Sequence, residues 1–168
     1  MTAAPPFSAP HYALGDLVLE PVGDAAATIA ERLAGLDPWA RTGRTAADFR
    51  TYLTAEPPGT RHFALRIDGA LVGFLALRHP FMRGPYVETI AIFPEAQRRG
   101  LARRIVEWIA VEGGPAAQNL WLCVTEWNAV ARATYAALGF HEVAPLPDVA
   151  AVGVTEIFLR KVLRPPQG

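Results

Sequence analysis

Three arginines flank one glycine in the run Gln97-Arg98-Arg99-Gly100-Leu101-Ala102-Arg103, a combination suited to holding an anion. Glycine lets the backbone approach a ligand closely, and the guanidinium groups of Arg98, Arg99 and Arg103 add positive charge. Two other side chains carry proton chemistry. Glu88 is the one charged residue in the apolar-rich run Tyr86–Ile92, and a carboxylate placed there can act as a base. Tyr135 has a phenol whose ordinary pKa of about 10 keeps its proton in place at neutral pH, available for donation. Cys123 is the single cysteine. Nothing beside it in the sequence would lower a thiol pKa of about 8.5, so it reads as a buried structural cysteine rather than a nucleophile.

The flanking elements decide what these groups can reach. Val87-Glu88-Thr89-Ile90-Ala91-Ile92 reads as a strand, and alternation puts Glu88 on one face with Ile90 and Ile92. After the arginines, Leu101, Ile105, Trp108 and Ile109 recur at helical spacing, with Glu107 and Glu112 largely on the other face. Strand, glycine turn and helix together aim unpaired backbone N–H groups, and the positive end of the helix dipole, at whatever sits above the turn. Phosphate suits that place. Neither G-x-x-x-x-G-K-[ST] nor G-x-G-x-x-G occurs. Each of these residues also has a plainer reading. The arginine run fits a solvated basic helix start, Glu88 fits a salt bridge to Arg78, Tyr135 fits a core tyrosine near Leu138, and Asn128 fits a helix cap. Glu126, just past the strand Asn119–Val124, is an alternative base.

With 168 residues, 51% of them hydrophobic and 19% charged, the chain suits one globular domain with a proper core. Its formal net charge of zero gives no global field toward nucleic acid or an anionic membrane. No apolar run is long enough to span a bilayer, and Met1–Pro10 has no basic start of a signal peptide. A lone cysteine suits a reducing cytoplasm. The four histidines are scattered, so no metal site is expected. Residues 1–12 read as a flexible tail, 13–163 as the domain and 164–168 as a frayed end. Within the domain, Leu17–Val22 reads as a strand, Asp24 as the cap of a helix to Leu36, and Thr45 as the cap of a helix to Leu53. Arg61–Ile67 and Ala70–Leu77 read as a hairpin turned by Asp68-Gly69. Pro80–Pro85 reads as a loop, Tyr86–Ile92 as the next strand, and Arg98–Val111 as a helix ended by Gly113-Gly114-Pro115. A strand at 119–124, a helix at 128–138 and strands at 140–143 and 155–159 follow. The order β-α-α-β-β-β-α-β-α-β-β is mixed α/β.

Gln97-Arg98-Arg99-Gly100-Leu101-Ala102 after a central strand resembles motif A of the GCN5-related N-acetyltransferase (GNAT) superfamily, Q/R-x-x-G-x-G/A. Further on, the strand Asn119–Val124, the spacing Asn128, Ala131, Tyr135 and the exit Leu138-Gly139-Phe140 resemble that family's second half. The resemblance covers roughly residues 84–145. It implies a GNAT-like mixed sheet in which the parallel strands bearing 87–92 and 119–124 splay apart to admit the pantetheine arm of acetyl-CoA, the co-substrate. It also implies that the backbone of Ile90, Ala91 and Ile92 pairs with pantetheine and that Arg98, Arg99, Gly100, Leu101, Ala102 and Arg103 hold the pyrophosphate. Asn128 would contact the pantetheine or stabilise the splay, Tyr135 would be the general acid, and Glu88 the base, directly or through water.

The implied reaction moves an acetyl group from acetyl-CoA to a primary amine, on a small molecule or a peptide N-terminus, by direct attack in a ternary complex. An acetyl-CoA-binding sensor with little activity is the alternative, and a phosphate- or nucleotide-binding domain unrelated to acyl transfer is a further one. The chain is distantly similar to bacterial ribosomal-protein alanine N-acetyltransferases, but it has Cys123 where they carry glutamate. Acceptor contacts are expected from Asp37–Arg44, with Trp39 walling a pocket, and from Pro80–Pro85 on the facing side. A homodimer through the C-terminal strands is compatible with the sequence.

Overall fold

In the computed structural model, which describes residues 4–165, the chain runs Tyr12–Leu14 (β1), Leu17–Pro21 (β2), Ala26–Ala34 (α1), Ala46–Thr54 (α2), Thr60–Ile67 (β3), Ala70–Phe81 (β4) and Gly84–Ile92 (β5). Leu101–Glu112 (α3), Asn119–Thr125 (β6), Ala129–Ala137 (α4), His141–Pro147 (β7) and Thr155–Val162 (β8) complete it. The expected order holds, with the short strand β1 added at the front. One sheet takes all eight strands in the order β1-β2-β3-β4-β5-β6-β8-β7. Only β5 and β6 run parallel.

Local chemistry accounts for several joints. Asp68 and Gly69 both take positive φ (49° and 78°), which a tight hairpin turn requires, and they join β3 to β4. The Thr45 hydroxyl accepts from the Asp48 N–H while the Asp48 carboxylate accepts from the Thr45 N–H, a capping box that starts α2. Asp24 does not cap α1. It lies in the one-turn segment Gly23–Ala25, and α1 begins after Ala25 with no side-chain cap. The Pro80–Pro85 loop contracts to a two-residue turn, Met82-Arg83, because β4 and β5 pair as far as Phe81 and Gly84. Gly84 is required there by contact: a Cβ on it would sit 1.7 Å from the Asn119 carbonyl oxygen.

Strand alternation feeds two apolar layers. Ala64, Phe74 and Ala76 pack with Ile29, Leu33, Phe49 and Leu53 of α1 and α2. Phe63, Leu65, Leu75 and Leu77 pack with Leu101, Ile105 and Ile109 of α3, and Leu138 and Phe140 join them from the α4 side. Each large apolar side chain buried this way contributes about 1.5–3 kcal/mol. Phe7, expected within a flexible tail, belongs to the second layer. It is 1% exposed and meets Trp108 edge-on at 5.5 Å. Its N–H donates to the Glu112 carboxylate at 3.1 Å. At the other end Arg164 donates to the carbonyls of Gly114 and Ala117, so the frayed end expected at 164–168 is anchored at its start; 166–168 lie outside the described residues.

Candidate active site

The parallel strands meet over a short length. β5 and β6 are in register only at Tyr86↔Trp121 and Val87↔Leu122, so the β6-facing edge of β5 from Glu88 onward has no strand partner. The gap opens into a cleft of about 340 Å³, within the range of small-molecule sites. Ile90, Ala91 and Ile92 line it from β5, Cys123 and Val124 from β6, Asn128 from the residue before α4, and Tyr135 from α4.

At one end of this edge stands the arginine turn. Arg98 and Gly100 both take positive φ (63° and 72°), and Gly100 immediately precedes α3. The helix thus begins at Leu101, three residues later than the expected Arg98. Among the described residues, no backbone carbonyl accepts from the N–H groups of Arg98 to Arg103, whereas Arg104 already donates to Gly100. Unpaired donors at the start of a twelve-residue helix have the geometry to receive an anion. Arg98, Arg99 and Arg103 are exposed around it. Arg99 reaches Asp16 at 3.7 Å and Arg103 reaches Glu107 at 3.8 Å, both loose pairs that leave charge available to a ligand. The Gln97 side chain ties the turn to β5 by donating to the Ile92 carbonyl at 2.9 Å. These donors fit a pyrophosphate.

Glu88 lies where β5 departs from regular pairing. Ala76 pairs with Thr89 and Leu77 with Val87, which leaves Glu88 as the extra residue of a bulge. The bulge reverses the alternation: Val87 before it, and Ile90 and Ile92 after it, all pack on the α3 side. Glu88 instead meets α2, and does not share the face of Ile90 and Ile92. Its Oε1 accepts from Arg78 Nε at 2.7 Å and Nη2 at 2.6 Å, and its Oε2 accepts from the Tyr52 hydroxyl at 3.0 Å. Burial pushes the Tyr52 phenol well above its ordinary value, so it stays a donor.

Tyr135 projects from α4, half-buried, with its ring edge-on to Phe140 at 5.7 Å. Burial raises its phenol above the ordinary range. Its hydroxyl has no hydrogen-bond partner among the described residues, and the residue lines the cleft. The Asn128 carboxamide oxygen accepts from the Ala131 N–H at 3.2 Å, so Asn128 caps α4 and lines the cleft at once. Glu126, the alternative base, is exposed and not part of the cleft wall. Burial pushes the Cys123 thiol up, away from thiolate chemistry.

The loop from Leu36 to Arg44 forms another wall through Asp37, Pro38, Trp39, Thr42 and Arg44. Trp39 also packs edge-on against Phe49 at 6.0 Å. The Met82-Arg83 turn is not part of the cleft, because it folds toward Asn119 and Trp121, whose side chains donate to the Met82 carbonyl. The cleft residues not singled out from the sequence are Tyr86, Thr125, Val149, Ala150 and Glu156. Glu156 gives the same signal as Glu88: a carboxylate within an apolar strand, Thr155-Glu156-Ile157-Phe158-Leu159.

A mixed sheet whose parallel central strands part beside a basic glycine turn is the architecture of an acetyltransferase fold. The chain belongs to the acetyltransferase (GNAT) family, whose pattern matches residues 27–140. An acetyltransferase from Thermus thermophilus is 25% identical, with a TM-score of 0.68 over 90% of this chain and 99% of that one. The ribosomal-protein-S18-alanine N-acetyltransferase of Escherichia coli is 22% identical, with a TM-score of 0.67 over 90% and 96%. A Vibrio cholerae spermidine N-acetyltransferase in complex with CoA and spermine is 16% identical, with a TM-score of 0.66 over 88% and 96%. The last two likenesses are of fold alone. No curated protein matches the sequence. No helix among the described residues is long and apolar enough to cross a membrane.

Proposed function

We propose that this enzyme transfers the acetyl group of acetyl-CoA to a primary amine, on a small molecule or a peptide N-terminus, by direct attack in a ternary complex. One observation carries the reading: the unpaired edge of β5 runs along a cleft that holds Tyr135 and reaches Gln97, the residue next to the unpaired N–H groups of Arg98–Arg103. Pyrophosphate takes the helix start, and pantetheine lies along Ile90, Ala91 and Ile92 as an added strand. A backbone N–H of that edge polarises the thioester carbonyl. Tyr135, protonated throughout the neutral range, gives its proton to the departing sulfur. Asn128 holds the start of α4 and so the position of Tyr135 seven residues on. The amine arrives from the side walled by Trp39, Arg44 and Glu88; Asp37, Glu88 and Glu156 are the carboxylates that line the cleft.

Titration calorimetry of acetyl-CoA into the wild type and Gly100→Glu tests the donor site. A Cβ at Gly100 meets nothing within 4 Å, so the substitution acts through its negative charge and the positive φ rather than by a clash. Binding to the wild type and loss of at least about tenfold in the variant are expected, since the carboxylate repels the pyrophosphate and competes with it for the helix-start donors, and a factor of ten needs only about 1.4 kcal/mol. A wild type that does not bind acetyl-CoA would refute the reading. Binding without turnover on any amine would favour the sensor.

A further inference from the structure

Three carboxylates line the cleft and are held differently: Asp37 is paired with Arg41 at 2.9 Å. Both Glu88 oxygens are engaged, one by the Arg78 guanidinium and the other by the Tyr52 hydroxyl. Glu156 reaches the same cleft from β8, with Oε1 accepting from the Thr125 hydroxyl at 2.8 Å. Its Oε2 has no hydrogen-bond partner among the described residues, and the carboxylate forms no ion pair there. The titratable groups that face it are the Tyr86 phenol from β5 and the Cys123 thiol from β6; β7 presents Leu146 at the paired position. None of these is a cation. A half-buried carboxylate with one open oxygen and no counter-charge is a receptor for a cation supplied from the cleft.

We infer that Glu156 receives the ammonium group of the acceptor and takes its proton, while Glu88 is a positioning residue that holds Arg78 and Tyr52. The inference rests on the acetyltransferase reading. Burial raises the Glu156 carboxyl above its ordinary value, which brings its proton affinity closer to that of an amine. Glu156 also stands two residues along β8 from the partner of Cys123, since Cys123 pairs with Phe158 and Thr125 with Glu156. In the step itself, the ammonium gives one proton to Glu156 Oε2. The freed nitrogen lone pair forms the C–N bond to the thioester carbonyl carbon. The C–S bond then breaks with its electron pair on sulfur, sulfur takes the Tyr135 proton, and Tyr135 regains a proton from the nitrogen as the amide forms. The proton on Glu156 passes to water, so the sum is ammonium plus acetyl-CoA to amide, CoA thiol and one proton.

Thiol release from acetyl-CoA is measured from about pH 5 to about pH 9 with spermidine, benzylamine and an alanine-initiated peptide as probe amines. The wild type, Glu156→Gln, Glu156→Asp and Glu88→Gln are compared, with acetyl-CoA affinity measured in parallel by calorimetry. Glu156→Gln is expected to lower kcat/KM by about 10²–10⁴ and to abolish the acid limb of its pH profile with unchanged acetyl-CoA affinity. Glu156→Asp recovers part of the rate, and Glu88→Gln keeps the acid limb. An acid limb lost in Glu88→Gln and kept in Glu156→Gln overturns the assignment, as does a Glu156→Gln rate equal to the wild type. A wild type that binds acetyl-CoA but releases no thiol with these amines also overturns it, in favour of the sensor. A wild type that fails to bind acetyl-CoA refutes the acetyltransferase reading itself, a distinct result.

Discussion

Arg78 grips Glu88 with two guanidinium nitrogens, at 2.7 Å and 2.6 Å from the same oxygen, at the bulge where β5 carries a residue without a partner on β4. The pair links the bulge to α2, because Tyr52 donates to the other Glu88 oxygen. Sheet irregularity, ion pair and helix contact therefore stabilise one another at the wall of the cleft.

Arg78→Ala leaves a carboxylate that is 15% exposed with only the tyrosine as partner. Full burial of such an orphaned charge costs several kcal/mol, but Arg78 is itself 40% exposed, so the expected loss is about 1–2 kcal/mol in urea unfolding. Arg78→Lys recovers part of it, since lysine has no planar fork. Equal stability of wild type and Arg78→Ala would show that the pair holds nothing.

Tyr135→Phe keeps the ring against Phe140 and removes only the hydroxyl, which has no hydrogen-bond partner to lose among the described residues. Acid catalysis by a positioned group is worth about 10²–10⁴. The variant should thus lose kcat by that order while KM and the melting temperature stay near the wild-type values. A drop in melting temperature with kcat intact would make Tyr135 a core residue and nothing more.

Glu156 gives a pH-dependent signature that needs no acceptor. Its carboxyl is raised by burial, so the native protein holds that proton more tightly than the unfolded chain does. The associated stability is complete below the unfolded value of about 4.3 and is lost as pH rises through the higher folded value. Glu156→Gln removes this loss. The melting temperature of the variant relative to the wild type should rise between about pH 4 and pH 7. A difference that is constant across that window would contradict the burial of the charge.

Cys123→Ala should retain thiol release within about threefold and show no change in the order of substrate addition, because direct attack needs no acyl-cysteine. Alkylation of the wild-type thiol should be slow at neutral pH, since burial keeps it protonated. Accumulation of an acetylated cysteine in acetyl-CoA alone would count against the ternary complex.

Signals that act over a few residues were legible in the sequence. Asp68-Gly69 turns the hairpin because both residues tolerate positive φ. Thr45 and Asp48 close a capping box three residues apart. The period of Leu101, Ile105 and Ile109 puts one face of α3 into the core. With those came the arginine turn and the strand before it, and so the candidate anion site. What each carboxylate does was not legible. Alternation places Glu88 with Ile90 and Ile92, but the bulge, a product of pairing with β4, turns it toward α2. Glu156 enters the cleft because β6 and β8 pair antiparallel and bring it to Thr125, 31 residues away. Phe7 is buried because α3 presents Trp108 and Glu112 to it. Local propensity carries no information about such partners; the register and closure of the whole sheet decide them.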